Sequence, residues 1–281
     1  MNTKLMTIFT RTPLHVGCGS SVGAVDQPVA RERHTRFPII PGSAIKGVLA
    51  DLWLDWSNKE KPVRNEEGIK LFGAETGNAS AGSLLIGEGK LLAFPVRSAR
   101  NCFAWITCPL VLKRLAADLC NKWDVSVIPD VGNGKVLAPV NLQIEGNVIF
   151  EEYPLETLGV VPEELVRVFI GFSEELSWKD EIKTRLAIVS DEMFAYFAEN
   201  ACEIANHNRI DDMVGVVAKG ALFSQENVPS ETMFYAVFNS RKADDFVALE
   251  DKLKNENNLL QIGADMTTGL GWCSVAMKEV K

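Results

Sequence analysis

The chain has 281 residues, 47% of them hydrophobic and 23% charged, with a formal net charge of −8. That apolar content excludes a disordered chain and suffices for one large domain, or for a core domain with sizeable insertions. No apolar run approaches the ~20 residues of a membrane span. The start, MNTKLMTIFTRTPL, has no long apolar stretch with a small-residue cleavage site, so a cytoplasmic protein away from membranes is expected.

The charge is unevenly spread. Residues 1–50 carry six basic and two acidic side chains, or +4, which leaves −12 for the rest; residues 151–200 alone hold twelve acidic and four basic, or −8. A globally acidic protein can still present a locally basic groove, and the local field governs phosphate binding. Chance clustering on a solvated face is the alternative. Six cysteines (Cys18, Cys102, Cys108, Cys120, Cys202, Cys273) form no C-x-x-C pair and read as reduced, mostly buried thiols. With three histidines available, a structural zinc site is disfavoured.

In chain order, Leu5–Phe9 reads as a first strand, ended by Thr12-Pro13. The stretch His15–Gly42 has four glycines, three prolines and little periodicity, so it is a long irregular excursion of the kind that carries function. Ser43 is a good N-cap for a helix whose Ile45, Val48, Leu49, Leu52 and Trp56 make one buried face. Residues 57–82 read as a polar insertion. Leu84–Ile86 and Leu91–Val96 read as strands flanking a Gly87–Lys90 turn, Phe103–Thr107 as another strand, and Pro109–Trp123 as a helix with proline near its first position. Residues 124–165 are turn-rich with strand fragments. Arg185–Val189 reads as strand and Asp191–Ala205 as a helix capped by Ser190. Strands are expected at 214–224 and 232–238, joined by Gln225–Glu231. A helix over Ala243–Leu253, a strand over Leu259–Ile262, a glycine loop over 263–271 and a strand over Trp272–Val280 complete the chain. Recurrent hairpin-like pairs favour an α+β fold with a mostly antiparallel sheet.

Three features point toward chemistry. With Ser43 as N-cap, Lys46 stands at N3, where the helix dipole favours an anion. Either it joins the first-turn amides in holding a phosphate, or it is an exposed lysine tolerated at small cost. Gly17-Cys-Gly19-Ser-Ser-Val-Gly23 and Gly263…Gly269-Leu-Gly271 fit neither the dinucleotide fingerprint nor the nucleotide-triphosphate loop. They let backbone approach a phosphate, or they are ordinary turns. Asp26 is the one carboxylate in the 15–30 segment, between His15 and the Arg31/Arg33 pair. It is a candidate metal ligand or proton-transfer group at a phosphodiester, or else a solvated turn residue.

The run from His15 to Leu49, HVGCGSSVGAVDQPVARERHTRFPIIPGSAIKGVL, resembles the backbone subunit of type III-B (Cmr-type) CRISPR effector complexes, members of the RAMP superfamily. Leu71-Phe72-Gly73, Phe94-Pro95-Val96-Arg97-Ser98, Glu226-Asn-x-Pro229-Ser230-Glu231-Thr232 and Ile262-Gly263…Thr268-Gly269-Leu-Gly271-Trp272 continue the match in order along nearly the whole chain. The resemblance implies a single RAMP domain over 1–281, with a modified ferredoxin-like (RRM-type) core and insertions at 57–82 and 124–180, one of them a β-hairpin thumb. It implies copies stacked along a guide CRISPR RNA beside other subunits of the complex, cutting complementary target RNA at regular intervals. On the family pattern Asp26 is the cleavage residue and the ligand of a divalent ion, usually magnesium (Mg2+), with His15 and Glu226 in support. Ser43, Lys46, Arg31, Arg33 and the loop with Gly263, Thr268, Gly269 and Gly271 would hold RNA. The alternative is a structural guide-binding subunit without cleavage. A small-molecule enzyme using the glycine loops for a phosphorylated cofactor runs against the resemblance.

Overall fold

The computed structural model describes residues 1–20, 23–57, 62–74, 80–119, 125–172, 176–208, 210, 216–217 and 221–279. These hold seven α-helices and a large, mostly antiparallel sheet of eleven strands.

The strand Asn2–Thr10 lies inside the sheet because its apolar side chains fall on both faces: Leu5, Met6 and Ile8 are all buried. It pairs antiparallel with Trp272–Glu279 on one side and with Met233–Ser240 on the other, and Met233–Ser240 pairs in turn with Leu85–Arg97. The helix Gly42–Asp51 falls between the first and second of these strands in sequence, and Asp244–Asn255 between the third and fourth. Alternation sorts what packs where. Lys4 points toward Asp244–Asn255, its ammonium bridging Glu250 and Glu279 and lying 5.6 Å from the Phe246 ring centre. On the opposite face Phe9 meets Trp178 of the helix Leu176–Arg185.

Beyond Leu85–Arg97 the sheet continues through Phe103–Thr107, Leu186–Val189, Lys135–Leu137, Tyr153–Gly159 and Asn147–Phe150. Among the described residues only the pairings of Leu186–Val189 with Phe103–Thr107 and of Lys135–Leu137 with Tyr153–Gly159 are parallel in this sheet. Two short antiparallel ribbons stand apart: Leu54–Asp55 with Val63–Arg64, and Glu203–His207 with Phe223–Asn227.

Several expectations need correction. The Gly87–Lys90 turn does not exist; Leu85–Arg97 is one strand. Gly87 and Gly89 serve close approach, since a Cβ on Gly89 would stand 2.9 Å from Ile40 and one on Gly87 3.0 Å from the Val237 carbonyl oxygen. Trp56 lies past the end of the first helix and is 64% exposed, so it leaves the predicted buried face, whose core is Ile45, Leu49 and Ala50. The polar segment 57–82 contains a helix, Glu66–Phe72, that buries Leu71 and Phe72. Two helices, Glu163–Phe172 and Leu176–Arg185, occupy a stretch read without helix, and Arg185 closes the second of them. Part of the predicted 214–224 strand lies outside the described residues; the strand found is Phe223–Asn227, so Gln225–Asn227 pair instead of connecting. The end of the predicted Pro109–Trp123 helix also falls outside them, its described part being Pro109–Asp118.

The thiols divide. Cys108 and Cys273 are buried and Cys202 half-buried, but Cys18 and Cys102 are exposed, and Cys120 lies outside the described residues. Burial pushes the Cys202 and Cys273 thiols up to about 12 and keeps them protonated. No helix among the described residues is long and apolar enough to cross a membrane.

The Ser190 cap is present, although its helix, Asp191–Asn200, ends before the predicted Ala205 because Glu203–His207 turns into strand. Ser190 Oγ accepts from the Met193 amide at 3.2 Å, and Asp191 Oδ1 accepts from the Leu110 amide at 2.8 Å in the first turn of the neighbouring helix. Ser190→Ala should therefore cost about 1 kcal/mol, read from urea unfolding, with Asp191 still holding the second helix.

Candidate active site

The excursion between the first strand and the first helix is irregular but pinned. Leu14 and Val228 exchange backbone hydrogen bonds at 2.8 and 2.9 Å, and the Ala30 amide donates to the Val16 carbonyl at 2.8 Å. The Gln27 amide donates to Ser224 O and the Glu226 amide to Gln27 O, so residues 26–28 clasp the free edge of the Phe223–Asn227 strand.

Asp26 sits exposed at this clasp. Its Oδ2 accepts from the Ser224 amide at 2.8 Å and from the Ser224 hydroxyl at 2.9 Å, while its own amide donates to Ser224 Oγ at 3.0 Å. The Ser224 backbone N–H, and then its hydroxyl, hold the Asp26 carboxyl below the usual carboxylate range. The result is a charged group, fixed in place and open to solvent.

Beneath the clasp lies a buried layer. The Glu226 side chain is 10% exposed; Oε2 accepts from the Val29 amide at 3.0 Å and Oε1 pairs with Arg31 Nη2. The Arg31 side chain is 4% exposed and also donates to the carbonyls of Arg36 and Ala198, at 2.6 and 2.9 Å, and to Cys202 Sγ at 3.2 Å. His15 is buried, its Nδ1 2.7 Å from the Glu226 carbonyl oxygen. A carbonyl only accepts, so Nδ1 donates in this contact, and the other ring nitrogen is Nε2. That nitrogen lies under Gly17, where a Cβ would come within 2.7 Å.

The glycine loop closes over the same cluster. Gly263 has φ +86, and a Cβ there would stand 2.2 Å from the His15 carbonyl oxygen; the Ala264 amide donates to that oxygen at 2.9 Å. Gly271, at φ +77, donates its amide to Pro13 O at 2.8 Å. Thr268 donates both its amide and its hydroxyl to Asp265 O, at 3.1 and 2.9 Å, and Gly269 continues the turn at φ +88. Gln225 Nε2 ties the loop to the ribbon through Asp265 Oδ2 at 2.8 Å. Gly263→Ala forces both a left-handed backbone and a backbone clash, so a stability loss of about 1–3 kcal/mol is expected by urea unfolding.

Asp26, His15, Glu226, Arg31 and the 263–271 loop thus come together, whereas Arg33, Ser43 and Lys46 are exposed and join that cluster through no hydrogen bond or ion pair among the described residues. The Lys46 argument changes. The helix starts at Gly42 behind Pro41, Ser43 makes no side-chain cap, and Lys46 stands two positions deeper than N3, at the fifth helical residue. The early start follows from Gly42, which packs against Ile86–Gly87 so tightly that a Cβ would be 2.9 Å from the Ile86 carbonyl oxygen. The first turn holds no acidic residue, so its electropositive end is uncompensated. Ser224 and Gln225 are the positions in this cluster that sequence reading missed. A partner 198 residues from Asp26 leaves no local signal.

No group of three or more His, Cys, Asp or Glu among the described residues forms a metal cage. The single exposed carboxylate fits a different arrangement: magnesium keeps several waters and is usually bound by one or two carboxylates together with substrate phosphates.

Comparison with known proteins places this geometry in context. The model of the RAMP superfamily matches residues 7–274. The CRISPR system Cmr endoribonuclease Cmr4 of Pyrococcus furiosus is 34% identical, the alignment covering 100% of this chain and 97% of that protein. The crystal structure of oligomeric Cmr4 from Pyrococcus furiosus superposes with a TM-score of 0.76 at 30% identity, covering 100% of this chain and 99% of the other. A cryo-EM structure of the type III-B Cmr-beta complex bound to cognate target RNA contains a chain with the same fold, at TM-score 0.76 and 19% identity, over 99% of this chain and 97% of the other.

Proposed function

The chain belongs to the RAMP superfamily, as a homologue of the Cmr4 endoribonuclease of type III-B complexes, and from that premise we propose that it is the RNA-guided, target-cutting backbone subunit of such a complex. The observation that carries this reading is Asp26: a carboxylate fixed on two sides by Ser224, ionised, and exposed beside a glycine loop. Its partners would be the guide CRISPR RNA, a complementary target RNA, further copies of itself and the other subunits.

In the reaction we infer, the ribose 2′-oxygen attacks the adjacent phosphorus and the bond from phosphorus to the 5′-oxygen breaks. The 2′-hydroxyl proton leaves to solvent and the departing 5′-oxygen takes one from it, giving a 2′,3′-cyclic phosphate and a 5′-hydroxyl. A depressed pKa makes Asp26 a poor base but a persistent anion, which suits orienting a hydrated divalent ion. Bound magnesium would supply positive charge at the phosphate oxygens. His15, Glu226 and Arg31 act from below as positioning residues, since all three are buried and bonded within the protein. Arg33, Ser43, Lys46 and the loop of Gly263, Thr268, Gly269 and Gly271 would meet RNA backbone without reading sequence, because base pairing with the guide supplies specificity.

The strand order Trp272–Glu279, Asn2–Thr10, Met233–Ser240, Leu85–Arg97, with its two intervening helices, supports a ferredoxin-like core within a single RAMP domain. The segments 57–82 and 124–180 are then insertions. The ribbon of Glu203–His207 and Phe223–Asn227 lies outside both ranges and stands off the main sheet beside Asp26, which favours it as the thumb.

The test is end-group analysis of target cut by the guide-loaded complex. Cyclic phosphate and 5′-hydroxyl ends are expected. A 5′-phosphate would overturn the mechanism, and an uncut target bound tightly by its guide would leave the chain a structural subunit.

A further inference from the structure

A cavity of about 260 Å³ opens on the sheet face opposite the helix Asp244–Asn255, and its lining includes none of Asp26, His15, Glu226 or Arg31. Phe9, Phe172 and Trp178 line it, each only partly buried, so aromatic surface is left uncovered. Arg11, Asn257 and Asn258 line it too, all three exposed. Arg11 is fixed by a hydrogen bond from its Nε to Ser274 Oγ. Both asparagines hold left-handed backbone, φ 55 and 53, in the turn after Asp244–Asn255, and their side-chain amides have no hydrogen-bond partner among the described residues.

We propose that this cavity receives one unstacked nucleobase of single-stranded RNA. The inference rests on the RNA-binding reading above. Three properties select that occupant. Uncovered aromatic surface is what a base stacks on, independently of its sequence. Amides at the rim carry the paired donor and acceptor that match the hydrogen-bonding edge of a base. A guanidinium beside them suits the attached phosphate. A purely apolar protein segment would leave these polar groups unused. Size agrees as well: the volume lies just under the about 300–1,000 Å³ of sites for drug-sized ligands, room for one ring system and not a whole nucleotide.

The route from the RNA-binding loop is short. Arg11 donates its amide to Trp272 O at 2.7 Å, and the Trp272 amide donates to Thr12 Oγ1 at 3.0 Å. Trp272 directly follows Gly271, the last residue of the glycine loop. RNA leaving that loop along Arg11 would reach the cavity mouth, since Arg11 is part of its lining.

Photocrosslinking tests this. The complete complex, assembled on guide RNA substituted with 4-thiouridine and then with target RNA so substituted, is irradiated and its crosslinked peptides are sequenced. Crosslinks are expected in the segments holding Phe172 and Trp178 or Asn257 and Asn258. They should fall about tenfold in Trp178→Ala, by the usual contribution of base–aromatic stacking. Trp178 also packs on Trp105, so that variant can fail to fold. Asn258→Gly keeps the left-handed backbone and removes only the amide, and it should lower the same crosslinks. RNA that binds and crosslinks at the glycine loop but never in these segments overturns the inference and leaves the RNA-binding reading intact. Capture of a neighbouring protein chain at the cavity overturns it in favour of a protein contact. Failure of the complex to bind RNA at all overturns both.

Discussion

Asp26→Asn is expected to slow target cutting by about 10²–10³-fold, the usual span for losing one electrostatic stabiliser of the transition state, while guide-dependent target binding stays unchanged. The amide keeps the shape and can still accept from the Ser224 amide and hydroxyl, so the clasp between the 26–28 segment and the ribbon survives. What disappears is the charge. The sign of the pH dependence follows from the lowered Asp26 pKa, set first by the Ser224 backbone N–H and then by its hydroxyl. The anion is fully present above the usual carboxylate range and is lost only as pH falls through the depressed value. Cutting should therefore hold through mildly acid pH and decline below the ordinary aspartate range. Ser224→Ala removes one of the two holding bonds and should move that decline to higher pH. Single-turnover rates across pH, measured beside binding, check both.

Arg31→Met should destabilise the fold by about 3–5 kcal/mol, because it strands the buried Glu226 carboxylate without its counter-charge. At 4% and 10% exposure neither partner is solvated. The guanidinium also satisfies the carbonyls of Arg36 and Ala198, which joins the excursion to the helix Asp191–Asn200. For a chain of this size each kcal/mol is worth roughly 2–4 °C, so a melting-temperature drop of about 6–20 °C is expected. Adding Glu226→Gln to Arg31→Met should recover part of it, since no buried charge is then left unpaired. An exposed, phosphate-binding Arg31 would give a small stability change and a weakened salt dependence of RNA binding instead.

Much of the architecture was written locally. Strand alternation, proline at the first turn of Pro109–Asp118, the Ser190 cap and the glycine loop before the last strand are short-range signals, and the structure keeps them. The errors arise where tertiary packing overrides local rules. Gly87 and Gly89 look like a turn, but they let Ile40 and the Val237 backbone reach a continuous strand. Glu163–Phe172 carried helix signals that went unread: Pro162 before it, Glu163 and Glu164 in its first turn, and Leu165 and Phe169 on one buried face.

The candidate site was half legible. Asp26 stands out as a lone carboxylate in a basic, glycine-bearing segment. That Ser224 fixes it, and that Arg31 turns inward to Glu226, depends on the ribbon folding back across nearly two hundred residues. Crowded arginines in sequence do not tell which one faces RNA. Burial does: Arg31 is enclosed and Arg33 exposed, two residues apart.

On the proposed reading, each copy of this chain carries its own cutting site at Asp26. The most direct measurement assembles the complex on one known guide with wild-type and Asp26→Ala chains mixed in set proportions, then follows an end-labelled complementary RNA in magnesium and in EDTA. A regularly spaced ladder that needs the metal, fades in step with the mutant fraction and vanishes at full replacement, with target binding constant, is the predicted result. A ladder unchanged at full replacement would contradict it and move the chemistry to another residue or another subunit.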